Sequence, residues 1–287
     1  MNSTVLITVV SLSLLALVSS VILYFVAQKF KVFEDPRIDE IQAFLPSANC
    51  GGCGFAGCRN LAEAMVRSDS FEGLNCPVGG EAAMKEAARI LGKVAPVVDP
   101  TVAVVLCNGT PESRPRTSRY DGTADCRISN SLYIGESDCS YGCIGNGDCV
   151  RSCTFGAMYL DERTGLPVVI DEKCVSCGAC VKACPRHRIE LRKKGKKDRK
   201  IYVACSNCDK GGAARRACKV ACIGCNKCVN VCKFGAITIE NNLAYIDASK
   251  CTLCRKCVAE CPTNAIVEVN FPPRVSKAEP VEENASI

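Results

Sequence analysis

The chain has 287 residues, of which 25 are cysteine and one is histidine; tryptophan is absent and aromatic residues make up 6%. That composition excludes a large aromatic core and a base-stacking platform for nucleic acid, and the lone histidine leaves little for acid–base catalysis. Net charge is +6, but residues 186–200 hold nine Lys/Arg against Glu190 and Asp198, a net +7, so the rest of the chain sums to −1.

In chain order, residues 5–28 come first, 24 residues without a charge, where about 20 suffice to cross a bilayer core. No Lys or Arg precedes the stretch, it is longer than the core of a signal peptide, and Lys29 and Lys31 follow it. Residues 1–30 therefore read as a retained single-pass anchor. The positive flank on its C-terminal side predicts a body on the cytoplasmic face of the cell's inner (cytoplasmic) membrane, the reducing side on which free thiolates persist.

Residues 33–92 form the first cysteine domain. Cys50, Cys53, Cys58 and Cys76 are spaced C-x2-C-x4-C-x17-C, three thiolates from a glycine-rich loop and a fourth returned after a helix predicted over residues 59–68. Four thiolates are the natural complement of one 4Fe–4S cluster. The loop also contains Gly52-x-Gly54-x-x-Gly57, formally a dinucleotide fingerprint. No β-strand leads into it and a ligand cysteine interrupts it, so the glycines read as tight turns of a cluster loop. Residues 81–91 predict an amphipathic helix with Met84, Ala87, Ala88 and Leu91 on its apolar side.

Residues 93–135 read as a connecting segment, followed by two copies of one domain at residues 136–192 and 193–270 and a flexible tail at 271–287. Cys139-x3-Cys143-x5-Cys149-x3-Cys153 recurs as Cys218-x3-Cys222-x5-Cys228-x3-Cys232. Each copy continues with x-Phe-Gly-Ala, short apolar alternation, and a C-x2-C-x2-C-x3-C-P run ending at Pro185 or Pro262. Disulfide frameworks belong to short secreted chains, and zinc takes separated pairs of thiolates, leaving the third cysteine of such a run without a role. The pattern is that of a two-cluster ferredoxin, in which the fourth cysteine of each run binds the other run's cluster.

Read that way, the first module has one cluster on Cys139, Cys143, Cys149 and Cys184 and another on Cys153, Cys174, Cys177 and Cys180. The second has one on Cys222, Cys225, Cys228 and Cys261 and another on Cys232, Cys251, Cys254 and Cys257. With the N-terminal site the expectation is about five 4Fe–4S clusters. Asn146 stands where the twin has Cys225, and Cys139 is taken as the substitute; in the second module Cys218 is then surplus, or shares its site with Cys225. Cys107, Cys126, Cys205, Cys208 and Cys218 are left over, either as small buried thiols or as a further metal site. Cys107 and Cys205 each end a strand-like run, VAVVLC and KIYVAC. Alternation at residues 167–171, 236–240 and 243–247 predicts hairpins, giving an α+β fold: one transmembrane helix, a small 4Fe–4S domain and two tandem ferredoxin-like modules. His187 reads as solvated, and the basic run as a solvated linker or a docking strip for an acidic partner.

The short anchor, the first domain opened by LPSANCGGCGFAGC, and repeats containing YGCIGNGDC and CVSCGACVKACPR together resemble the B subunits of Rnf-type ion-translocating ferredoxin:NAD oxidoreductase complexes, from residue 1 to about 270. The resemblance implies a membrane-bound component of an oxidoreductase, a translocase, with no substrate-chemistry site of its own. It would take electrons from soluble ferredoxin and pass them toward NAD through flavoprotein and other membrane subunits, coupled to Na⁺ or H⁺ translocation. The rival readings are a complex of the same build that reduces an iron–sulfur redox regulator, and a nucleic-acid-binding protein. One basic run without interleaved aromatics supports the latter weakly, and no nucleic-acid partner is expected.

Overall fold

A computed structural model describes residues 3–30, 34–96, 99–133 and 135–273. Lys31 and residues 274–287 of the expected tail lie outside the described residues. The chain opens on α1 (Ser3–Lys29), a helix apolar on all sides and, among the described residues, packed against nothing else in the chain. At 1.5 Å per residue it is about 40 Å long, long and apolar enough to cross a membrane.

Three helices build the first domain: α2 (Arg37–Phe44), α3 (Cys58–Arg67) and α4 (Gly80–Leu91). Ile41 of α2, Leu61 and Met65 of α3 and Met84 of α4 meet in a core sealed from solvent. The expected face of α4 is the one buried, with Ala83 added to Met84, Ala87 and Ala88. Gly92 ends the helix in the left-handed conformation at φ 65°, which glycine adopts without a Cβ clash.

The remainder is one plan executed twice. The first copy runs β1 (Thr101–Val105), α5 (Cys126–Leu132), α6 (Asp148–Arg151), the hairpin β2 (Met158–Asp161) and β3 (Leu166–Val169), α7 (Ala179–Ala183) and β4 (Ile189–Lys193). The second runs β5 (Lys200–Val203), α8 (Gly211–Ala217), α9 (Lys227–Val231), the hairpin β6 (Ile237–Glu240) and β7 (Leu243–Ile246), α10 (Lys256–Ala259) and β8 (Ile266–Val269). In each, the first strand closes antiparallel on the last: Thr101 opposite Lys193 and Val105 opposite Ile189, then Lys200 opposite Val269 and Val203 opposite Ile266. The hairpins fall where alternation predicts them.

This pairing redraws two expectations. Residues 93–135 are more than a connection, because they supply β1 and α5 to the first module. Nor is the basic run a solvated linker: it forms β4, a 3-10 turn at Lys196–Asp198 and β5. Arg192 is 5% exposed; its guanidinium donates to the carbonyls of Ile201 and Ile246, pairs with Glu190 at 2.9 Å and lies over the Tyr245 ring. Buried Lys200 pairs with Asp171, and exposed Lys193 with Asp99 at 2.5 Å. Arg192 and Lys200 are thus paired inside the fold, and Lys193 at its surface.

Candidate metal centres

Among the described residues no three His, Cys, Asp or Glu side chains converge tightly enough for a single bare ion. The thiols instead stand around cavities, each set brought together by short loops and the first turn of a helix.

In the first domain Cys58 opens α3, its N–H donating to Asn49 Oδ1 at 2.9 Å, while Cys76 Sγ accepts from the N–H of Gly79 at 3.2 Å. Burial, and then the nearby charges of Cys53 and Cys58, push the Cys76 thiol up, so the three sit together. The loop also touches the first module: Lys182 Nζ donates to the Gly51 carbonyl at 3.4 Å, and a Cβ on Gly52 would lie 2.7 Å from the Cys177 carbonyl oxygen and 2.9 Å from its Cα. Glycine is needed here because another domain's backbone occupies the side-chain space, a reason unrelated to nucleotide binding. Gly52→Ala is expected to cost about 1–3 kcal/mol by overpacking and to part the two domains. Weaker magnetic interaction between their reduced clusters would register that separation; an unchanged spectrum would contradict it.

Cys153, Cys174, Cys177 and Cys180 line one cavity with Phe155 and Met158; Cys232, Cys251, Cys254 and Cys257 line its counterpart with Phe234 and Ile237. Burial and then the neighbouring thiolates push Cys180 up to about 11 and Cys257 up to about 12. Cys228 is pushed up to about 11 by burial and then by Cys222, Cys225 and Cys261, so this fourth set is also together. Four soft sulfur donors around a cavity walled by apolar side chains, with no His or carboxylate among them, suit an iron–sulfur cube. The donor set therefore fits 4Fe–4S.

The fifth set differs from expectation. Cys143, Cys149 and Cys184 line a cavity with Cys126, and Cys139 is not in its wall. Asn146 explains the exchange: its Nδ2 donates to Oγ of fully buried Ser129 in α5 at 2.9 Å. Asp125 caps that helix through the N–H groups of Arg127 and Ile128, and the Cys126 N–H donates to both carboxylate oxygens of Asp148 at 3.0 and 3.1 Å. The residue that stands in place of Cys225 thus anchors the helix whose first residue, Cys126, lines the cavity. Burial, followed by Cys126 and then Cys184, pushes Cys149 up to about 12. Cys139 lies elsewhere, its Sγ accepting from Asn207 Nδ2 at 3.5 Å. An Asp-Cys pair at the start of a short helix is the available sequence signal for Cys126. His187 is exposed.

Three family models match the chain: a putative Fe–S cluster at residues 45–77 and 4Fe–4S dicluster domains at 142–189 and 221–265. The chain is 42% identical to the B subunit of the Na⁺-translocating ferredoxin:NAD⁺ oxidoreductase complex of Acetobacterium woodii, over 93% of this chain and 78% of that one. It is 38% identical to the B subunit of the ion-translocating oxidoreductase complex of Methanosarcina acetivorans, over 93% and 99%. With the B subunit of the proton-translocating ferredoxin:NAD⁺ oxidoreductase complex of Clostridium ljungdahlii it shares 41% identity over 93% of each chain. Identity at that level across nearly the whole length, with 4Fe–4S domain models matching the cysteine-rich body behind an apolar helix, shows that the chain belongs to the family of B subunits of ion-translocating oxidoreductase complexes and is a membrane-associated iron–sulfur electron-transfer subunit.

Proposed function

We propose that this subunit takes electrons from reduced ferredoxin and passes them toward NAD within an Rnf-type complex, in company with flavoprotein and membrane subunits. What supports the reading is that the thiols gather in sets along the chain, with the first domain's cysteine loop lying against the backbone of Cys177 in the first module. Cys126, Cys143, Cys149 and Cys184; Cys153, Cys174, Cys177 and Cys180; Cys222, Cys225, Cys228 and Cys261; Cys232, Cys251, Cys254 and Cys257; and Cys50, Cys53, Cys58 and Cys76 would hold five clusters. A 4Fe–4S cube, when bound, supplies one-electron redox chemistry. The chain's own part is to hold each set in an apolar, water-poor wall and to fix the spacing between sets.

Uptake is assigned to the second module's outer end. There Cys254 is exposed, and Cys251 and Leu253 share a cleft with Lys193, Lys194, Gly195 and Arg199. Lys196 and Lys197 stand exposed on the adjacent turn, where they would attract an acidic ferredoxin. Membranes holding the complex should reduce NAD with reduced ferredoxin and build a Na⁺ or H⁺ gradient; loss of neither activity on deleting this chain would overturn the reading. In the same assay Lys196→Glu with Lys197→Glu should slow ferredoxin-dependent uptake about tenfold at low salt, with the difference closing as salt screens the charges and dithionite reduction unaffected.

Lys29 at the end of α1 supports a cytoplasmic body. Protease added to intact cells should then spare residues 34–273, and their digestion would reverse the orientation.

A further inference from the structure

We propose that Cys107, Cys139, Cys205 and Cys218 hold a further 4Fe–4S cluster on the seam between the two modules, two ligands from each. The proposal rests on the ferredoxin-type reading of the flanking sets and extends it.

Internal symmetry is the first support. Cys107 follows β1 and Cys205 follows β5, and each sulfur accepts the backbone N–H of the equivalent cluster cysteine: Cys143 N–H donates to Cys107 Sγ at 3.5 Å and Cys222 N–H to Cys205 Sγ at 3.2 Å. Cys139 and Cys218 stand four residues before those same two cysteines. Each module therefore presents an equivalent pair of thiols, and neither pair is needed by the module's own clusters once Cys126 completes the first.

The seam brings the pairs face to face. Ser206 Oγ donates to the Leu106 carbonyl at 2.9 Å, and the Lys219 N–H to the Ser113 carbonyl at 2.8 Å. Cys205 packs against the small core around Cys218, and Asn207 joins Cys205 to Cys139, its backbone N–H donating to Cys205 Sγ at 3.4 Å and its side-chain amide to Cys139 Sγ at 3.5 Å. Cys139 and Cys218 are buried.

Plain apolar packing of four small thiols is the competing account, and the donors decide against it. Three of the four sulfurs receive an N–H: from Cys143 on Cys107, from Asn207 and Cys222 on Cys205, and from the side-chain amide of Asn207 on Cys139. Asn207 is 1% exposed, and burying an amide to serve a neutral thiol, a weak acceptor, gains little. Directed at a cluster thiolate, the same bond is charge-assisted and of the kind that tunes cluster potentials. Cys208, by contrast, directs its Sγ to the Ser206 carbonyl at 3.8 Å and is left out of the set. An all-thiolate set without His or carboxylate admits iron–sulfur or zinc, and the test separates them.

Full-length protein prepared without oxygen should carry six clusters on its most fully loaded species in native mass spectrometry, about 24 irons per chain. Cys107→Ser, Cys139→Ser, Cys205→Ser and Cys218→Ser should each lower that to about 20 irons while leaving the paramagnetic signals of the other five clusters in dithionite-reduced protein; Cys208→Ser should leave all six. A wild-type maximum of five clusters, or one zinc per chain in place of the last four irons, overturns the seam site and leaves the five-cluster reading standing. Fewer than five overturns both. The wild-type count decides the matter even if a serine variant fails to fold.

Discussion

Cys126→Ala is expected to alter the same cluster signal as Cys143→Ala and Cys184→Ala, and Cys139→Ala to leave that signal in place. The expectation follows from the cavity walled by Cys126, Cys143, Cys149 and Cys184. Cys184 is the instructive member: it lies four residues from Cys180 in sequence, yet Cys180 lines a different cavity. Losing one of four thiolates should convert or empty the cluster outright rather than shift it, because no other thiol is in that wall. Paramagnetic resonance of reduced variants reads the grouping directly. If Cys184→Ala matched Cys177→Ala instead, or if Cys139→Ala removed the signal that Cys143→Ala removes, the ligand set would be wrong.

Stripping the clusters should unfold both modules. The second module's core consists of Ile201, Val203, Ile237, Ala244, Ile246, Ala265 and Ile266 gathered around buried Cys222, Cys228 and Cys257; in the first, Ala103, Met158 and Ile189 gather beside Cys149 and Cys180. Strands of four or five residues joined in pairs bury too little apolar surface to hold a fold alone, so ligation and folding should be one transition. After iron is removed with a chelator under reducing conditions, circular dichroism should lose the strand signal of the modules, and the thermal transition of the holoprotein should vanish. The first domain, whose core joins Ile41, Leu61, Met65 and Met84, should retain more of its helix. A chelated protein that still melted cooperatively with native strand content would defeat this account.

The parts of the fold readable in advance are those in which partners are close in sequence. Three cysteines of a run bind one cluster within a single short loop, and alternation marks a hairpin over neighbouring residues, so both survive as local pattern. Cys126 is not legible in this way. Its membership depends on Asn146 reaching Ser129, 17 residues back, and only the folded chain reveals that contact. β1 is hidden as a module strand for the same reason, since its partner β4 lies far along the chain. The packing of the basic run, which reads as a solvated linker or a docking strip, is hidden because Asp171 and Asp99, which pair with Lys200 and Lys193, and the Ile246 carbonyl that receives Arg192 are remote in sequence.

The closing of each module's first strand on its last has a bearing on how such a chain could lengthen. Because β1 meets β4 and β5 meets β8, a module begins and ends at the same edge, so its point of insertion is a single site on the parent chain. A tandem copy can then be spliced in without rethreading what is already there, adding cluster sites by the pair. Growth by whole duplications would enlarge the conductor in fixed increments, each new unit arriving with its own framework and needing only a matched face toward its neighbour.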